Sequence, residues 1–249
     1  MLDNKLYDAL VIGASKEGVE AVKYLAENGK NVGLISRALP RIPTSIGAEE
    51  NEVKFLAYRK GLIIVYLKDK QLVCRNLIIA TGKKPIVGGT KNVVYDASEL
   101  PGGETLVIIS KNDIYATNTA FEVSKKYKKI LIVTESADIT CETDVLKERL
   151  THSRKIKVLP LCSPIDVAKT SGDANYLVTL DTFDTIACSD VFGAIGQTPD
   201  VFDFETPLYE TCEDGAIKTI KYATKTPGVF AIGGVADYKT FSPEGLNLI

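Results

Sequence analysis

Few residues in this chain can do chemistry. Its five cysteines, Cys74, Cys141, Cys162, Cys188 and Cys212, are scattered, and the closest two, Cys141 and Cys162, lie 21 positions apart. No CxxC or CxxxxC pair for redox or metal chemistry occurs, and an odd, scattered set is not a disulfide framework. The single histidine, His152, sits in the polar stretch Thr151-His152-Ser153-Arg154. Cysteine–histidine catalysis and a Cys/His metal cluster are therefore not supported, and the cysteines read as small apolar fillers or incidental surface thiols. The stretch Gly13-Ala14-Ser15-Lys16-Glu17-Gly18, directly after an apolar run, points elsewhere. A glycine-bearing turn opening a helix presents backbone N–H groups and the positive end of the helix dipole, which suit a phosphate.

The elements around that turn form a βαβ unit. Leu6 to Ile12 is a nearly continuous apolar run, as in a parallel strand buried on both faces. Val19, Val22, Leu25 and Ala26 recur at helical spacing, Asn28-Gly29 stops the helix, and Val32 to Ile35 is the next strand. Residues 38–52, with Pro40, Pro43 and the glutamates 49, 50 and 52, read as an irregular connection or a short helix. Leu62 to Tyr66 and Gln71 to Val73 flank a hairpin turn, and Leu77 to Ala80 is a buried strand ended by Thr81-Gly82. A second βαβ unit follows Pro101-Gly102-Gly103. Its strand is Thr105 to Ile109, its helix carries Ala116, Ala120, Val123 and Tyr127 on one face, and its next strand is Ile130 to Val133. Lysines 125, 126, 128 and 129 read as the solvated end of this helix. The remainder is strand-rich, so the chain reads as a tandem of two related folds opening at Gly13 and Ser110.

Composition narrows the function classes. The chain has 249 residues, 45% hydrophobic and 25% charged, with a formal net charge of −2. That balance supplies no electrostatic reason to bind nucleic acid or an anionic membrane. No apolar run approaches the length of a membrane span, and Met1 to Lys5 lacks a signal-peptide pattern, so the expected location is the cytoplasm.

Four segments, in order, resemble the flavoprotein disulfide reductase family, the pyridine nucleotide-disulfide oxidoreductases that include thioredoxin reductase and dihydrolipoamide dehydrogenase. YDALVIG at 7–13 resembles the first FAD-binding strand, and LIIATGKKP at 77–85 the central ATG motif. SDVFGAIGQTPD at 189–200 is similar to the close of the nucleotide domain, and TPGVFAIGGV at 226–235 to the return into the flavin domain. The resemblance implies an α/β fold of two Rossmann-like dinucleotide-binding domains, three-layered around parallel sheets, the second inserted into the first. Expected boundaries are 1–100 and 216–249 for the FAD-binding-like domain and 101–215 for the NAD(P)-binding-like domain. The implied FAD contacts are Gly13, Ala14, Ser15, Gly18, Ser36, Arg37, Ala80, Thr81, Gly82, Gly233 and Gly234.

The departures from that family are specific. Of the GxGxxG glycines, Gly13 and Gly18 remain and Ser15 replaces the second, where it would push a pyrophosphate outward or hydrogen-bond to it. The ribose-binding acid after the second strand is replaced by Ser36-Arg37, which would favour an extra phosphate or face solvent. The late Gly-Asp becomes Gly233-Gly234, with Asp237 three residues on as a substitute. At Ser110 to Tyr115 none of the second fingerprint's glycines survives, so NAD(P) binding in the usual mode is not expected. The redox cysteine pair has no counterpart. The family's covering helix or dimerisation domain is not expected after Ile249, and the segment from Ser242 is left to pack on a partner subunit. Three readings stay open: an FAD-binding oxidoreductase without thiols or NAD(P), taking electrons from a protein redox partner or passing them to oxygen; a non-catalytic binding or regulatory scaffold without flavin; or a pocket rebuilt around another nucleotide or anion. The partners expected are a second copy of the chain, as a homo-oligomer, or a protein redox partner.

Overall fold

The computed structural model describes residues 2, 5–171, 174–202, 208–238 and 240–246. The chain packs as two compact units, Met1–Lys84 with Thr198–Ile249, and Pro85–Gln197. The second unit is thus an insertion in the first. The chain passes between them at 84/85 and 197/198, within the short strands β7 (Lys83–Pro85) and β15 (Gln197–Pro199).

The first unit is built on one seven-stranded sheet. Its strands are β1 (Leu6–Ile12), β2 (Val32–Ser36), β3 (Gly47–Glu50), β4 (Phe55–Arg59), β5 (Leu62–Tyr66), β6 (Gln71–Ile79) and β16 (Val229–Ala231). The order is β3-β2-β1-β6-β5-β4, with β16 pairing β6. β1, β2, β3, β6 and β16 run parallel, while β5 pairs antiparallel with β6 and β4 antiparallel with β5. The parallel strands β1 and β2 are nearly continuous in apolar residues because both faces are covered. Helix α1 (Lys16–Glu27) lays Ala21, Val22 and Leu25 on one face, and Gly29 closes it with a φ of +77°. Residues 47–50 form a parallel edge strand, not the irregular connection or helix expected from the prolines and glutamates. Glu49 there is held by Lys70 and by the Leu2 N–H, so the acidic sequence is tolerated at a sheet edge. Further on, Leu246 is buried and the Ser242 N–H donates to the Tyr222 hydroxyl at 2.9 Å, so residues 240–246 pack on their own unit. Residues 247–249 lie outside the described residues.

The second unit has a four-stranded parallel sheet in the order β10-β9-β8-β14. Its strands are β8 (Gly103–Ser110), β9 (Tyr127–Thr134), β10 (Ile156–Leu159) and β14 (Asp190–Ala194). Helix α2 (Asp113–Glu122) joins β8 to β9, and α3 (Asp144–Thr151) joins β9 to β10. The other face carries the antiparallel layer β11 (Pro164–Lys169), β12 (Tyr176–Leu180) and β13 (Thr185–Cys188). Tyr127, read from sequence as a helix residue, instead opens β9, and Lys128 and Lys129 lie on that strand rather than at a helix end. The reason is a buried polar pair, since the Tyr127 hydroxyl donates to Asp190 at 2.8 Å and accepts the Gly102 N–H. Among the described residues no helix is long and apolar enough to cross a membrane.

Candidate functional site

The first βα turn is made by interlocking backbone. Gly13 has φ +101°, and a Cβ placed on it would stand 2.4 Å from the Ala80 carbonyl oxygen. A Cβ on Gly18 would stand 2.4 Å from the Gly13 oxygen and 2.9 Å from the Ala80 Cβ. Gly13, Gly18 and Ala80 therefore bring the start of α1 against the ends of β1 and β6, and packing alone demands both glycines. Ser15, at the second fingerprint position, has a third role beyond the two expected. Its hydroxyl accepts the Gly18 N–H at 3.1 Å and caps α1 from within. Gly82 has φ +74°, and a Cβ there would meet nothing within 4 Å, so its backbone conformation is what it supplies.

Beside this turn lies a cavity of about 500 Å³ at the carboxyl ends of β1 and β2. It brings together Gly13, Ala14, Ser15, Ser36, Arg37 and Thr81. Asp200, to which the sequence alone assigns no role, also lines it. Arg37 forms an ion pair with Asp200, and Lys84 stands 3.5 Å from the same carboxylate. The Thr81 hydroxyl donates to the Asp200 carbonyl at 2.6 Å, fixing this segment over the ATG turn. Arg37 remains 68% exposed against 14% for Asp200, so most of its guanidinium still faces water. Lys54 pairs with Glu52 at another edge of the cavity, and that hydrogen bond holds the Glu52 carboxyl below its ordinary range. Three cations face two carboxylates here.

Gly18, Ala80, Gly82, Gly233 and Gly234 do not line the cavity. Gly18 and Ala80 support it from behind. Gly233, with φ +71°, lies under the Glu17 carboxylate, which a Cβ there would meet at 2.8 Å. Asp237 is held by Thr219, its Oδ1 accepting both the Thr219 N–H at 2.9 Å and the Thr219 hydroxyl at 2.7 Å.

In the second unit the corresponding helix start is filled by a carboxylate. Asn112 caps α2 by accepting the Tyr115 N–H at 3.0 Å. Asp113 accepts from the Ser110 hydroxyl at 2.6 Å, the Thr134 hydroxyl at 3.0 Å and the Thr140 N–H at 3.3 Å. Burial alone would raise the Asp113 pKa. Hydrogen bonds from Ser110, Ser136 and Thr134 outweigh it and hold the group below its ordinary value. A fixed negative charge thus occupies the place where a helix N-terminus would attract a phosphate. Glu135 pairs with Lys111 and accepts from the Ser163 hydroxyl, so it too is engaged within the unit.

The surroundings of every thiol favour its protonated form. All five cysteines are free. Burial pushes Cys74 and Cys188 up to about 12, and it raises Cys141, Cys162 and Cys212 as well. A raised pKa withholds the thiolate that exchange chemistry requires. Cys141→Ser is accordingly expected to leave stability and any activity unchanged, and native protein at neutral pH should react with iodoacetamide far more slowly than unfolded protein. Rapid alkylation of one thiol in the folded state would refute this. Among the described residues no group of His, Cys, Asp and Glu is arranged to hold a metal.

A family model described as pyridine nucleotide-disulphide oxidoreductase matches residues 43–247. No curated protein matches the chain in sequence. Among solved structures, thioredoxin reductase of T. acidophilum superposes with a TM-score of 0.74 at 19% identity, over 96% of this chain and 93% of that one. Thioredoxin reductase of Lactococcus lactis superposes with a TM-score of 0.72 at 18% identity, over 96% and 93%. Bacillithiol disulfide reductase of Staphylococcus aureus superposes at 0.64 and 16%, over 97% and 94%. These likenesses establish the two-domain Rossmann-type fold.

Proposed function

The chain belongs to the pyridine nucleotide-disulphide oxidoreductase family, and from that premise we propose that it is a flavoprotein-type member that works without a thiol pair and without NAD(P) held in the usual mode. The observation carrying this reading is the cavity at the carboxyl ends of β1 and β2, where the bare backbone of Gly13 to Ser15 meets the cations Arg37 and Lys84. These residues fit the nucleotide half of FAD. The Gly13–Ser15 backbone and the start of α1 would face its pyrophosphate, and Arg37 and Lys84 would balance its charge. Bound there, the flavin would supply electron transfer that the chain's own side chains lack. The protein's part is to hold and orient the nucleotide and to keep its thiols out of the reaction. Asp113 supports the second half of the proposal, because an NAD(P) pyrophosphate at α2 would meet a fixed like charge.

The flavin-free scaffold is favoured by a different observation. Glu17 lies over Gly233, Ser15 already takes the Gly18 N–H, and Asp237 is committed to Thr219. Retention of FAD through desalting separates the two readings, wild-type protein keeping it under the first and losing it under the second.

A further inference from the structure

The second unit contains a cavity that the proposed flavin chemistry leaves unused, and its position is informative. From β8 the chain steps outward through α2 and β9 to β10, then returns on the other side of β8 as β14. The gap between β8 and β14 is therefore the topological switch point of this sheet, the place where open α/β sheets form a crevice at their carboxyl ends. A cavity of about 370 Å³ lies there, on the face covered by β11, with Ile109 at the end of β8 and Ile195 just past the end of β14 in its wall. Val93, Ile165 and Val167 complete walls that are mostly apolar.

Two of the polar residues in its lining, Tyr95 and Lys91, sit on one segment of the unit. Tyr95 is 8% exposed, and its ring is seated so closely on Gly193 that a Cβ there would stand 2.4 Å away. Its hydroxyl accepts the Thr90 N–H at 3.3 Å, and its own proton has no acceptor among the described residues. Lys91, an exposed residue of the same lining, has no ion pair among the described residues. The segment carrying both is tied down, since the Asn92 side-chain amide donates to the Val167 carbonyl at 2.8 Å. Lys111, also in the lining, is neutralised by Glu135. Asp166 is exposed at the rim and offers the competing attraction for an ammonium group.

We infer that this cavity binds a small apolar carboxylic acid. The hydrocarbon part fills the space between Ile109, Val167 and Ile195, and the carboxylate accepts from the Tyr95 hydroxyl and pairs with Lys91. A donor without an acceptor beside apolar walls selects a ligand that satisfies it, while the cation at the opening sets the sign of the ligand's charge.

The test is calorimetric titration of the full chain with 4-phenylbutyrate, 4-phenylbutan-1-ol and 4-phenylbutylamine. The acid is expected to bind at least tenfold more tightly than either analogue. Tyr95→Phe and Lys91→Gln should each weaken the acid at least tenfold and leave the alcohol unchanged. Ile165→Trp, a change at an exposed position that fills the mouth, should abolish binding while circular dichroism stays native. Equal binding of acid and alcohol, preference for the amine, no binding of any probe, or binding indifferent to Ile165→Trp would each overturn the inference. FAD is titrated alongside, so a failure here is separable from a failure at the first unit's cavity.

Discussion

Gly13→Val is expected to abolish nucleotide binding and to destabilise the chain by about 4 kcal/mol, combining left-handed backbone strain with overpacking against fixed backbone. The obstacle is rigid. The new Cβ would lie 2.4 Å from the Ala80 oxygen, 2.5 Å from the Ala80 carbonyl carbon and 2.6 Å from the Thr81 Cα. None of these is the end of a side chain that could turn aside, and Ala80 is itself fixed by its N–H bond to the Ile12 carbonyl. Gly29→Ala supplies the control. It also has positive φ, +77°, but meets nothing within 4 Å, so only the strain of about 1–2 kcal/mol remains. Urea midpoints of the two variants compare the effects directly. A Gly13→Val protein as stable as Gly29→Ala would show that the turn is looser than its geometry.

Asp113→Ala is the other large effect, with an expected loss of about 2–4 kcal/mol from stranding the donors it now satisfies. Ser110, Thr134 and the Thr140 N–H would lose their common acceptor at once. The pH dependence has a definite sign. Because the folded pKa is lowered from 3.8, the charged form's stabilisation is complete above that unfolded value and is lost as pH falls through the lower folded value. The gap between wild type and Asp113→Ala should therefore be constant from neutral pH down to the unfolded value and shrink below it. Chemical denaturation at a series of pH values reads this out. A gap that widens on acidification would contradict the assignment of Asp113 as a charged, hydrogen-bonded group.

Asp113 also shows where sequence reasoning stops. The absent glycines at residues 110–115 are visible in the sequence, and from them the loss of the usual phosphate turn follows. What replaces the phosphate is not visible, because Thr134 and Thr140 reach Asp113 only once β9 lies beside β8. The same holds for Asp200. It closes a recognisable motif, yet its pairing with Arg37 spans 163 positions and depends on the chain returning from the inserted unit. Local signals do better. The run from Leu6 to Ile12 and the apolar stripe of α1 are legible because burial on both faces, or on one stripe, writes itself into residue spacing. The edge strand β3 is not legible, since an edge needs no apolar alternation when Lys70 and a backbone N–H hold its glutamate. At the first turn, Gly13 and Gly18 can be read as phosphate glycines, but their closest neighbours are Ala80 and each other. Their presence is required by packing and does not by itself report a ligand. The proposal of a bound nucleotide rests instead on Arg37, just past the end of β2, and on Lys84, which line the cavity with Gly13.

The central claim is that the first unit's cavity holds flavin while the thiols and the second helix start stay out of the chemistry. It is tested most directly by the visible absorbance spectrum of protein incubated with excess FAD and then desalted. About one flavin per chain is expected, lost in Arg37→Glu and retained in Cys141→Ser. A colourless wild-type protein after the same treatment would contradict it.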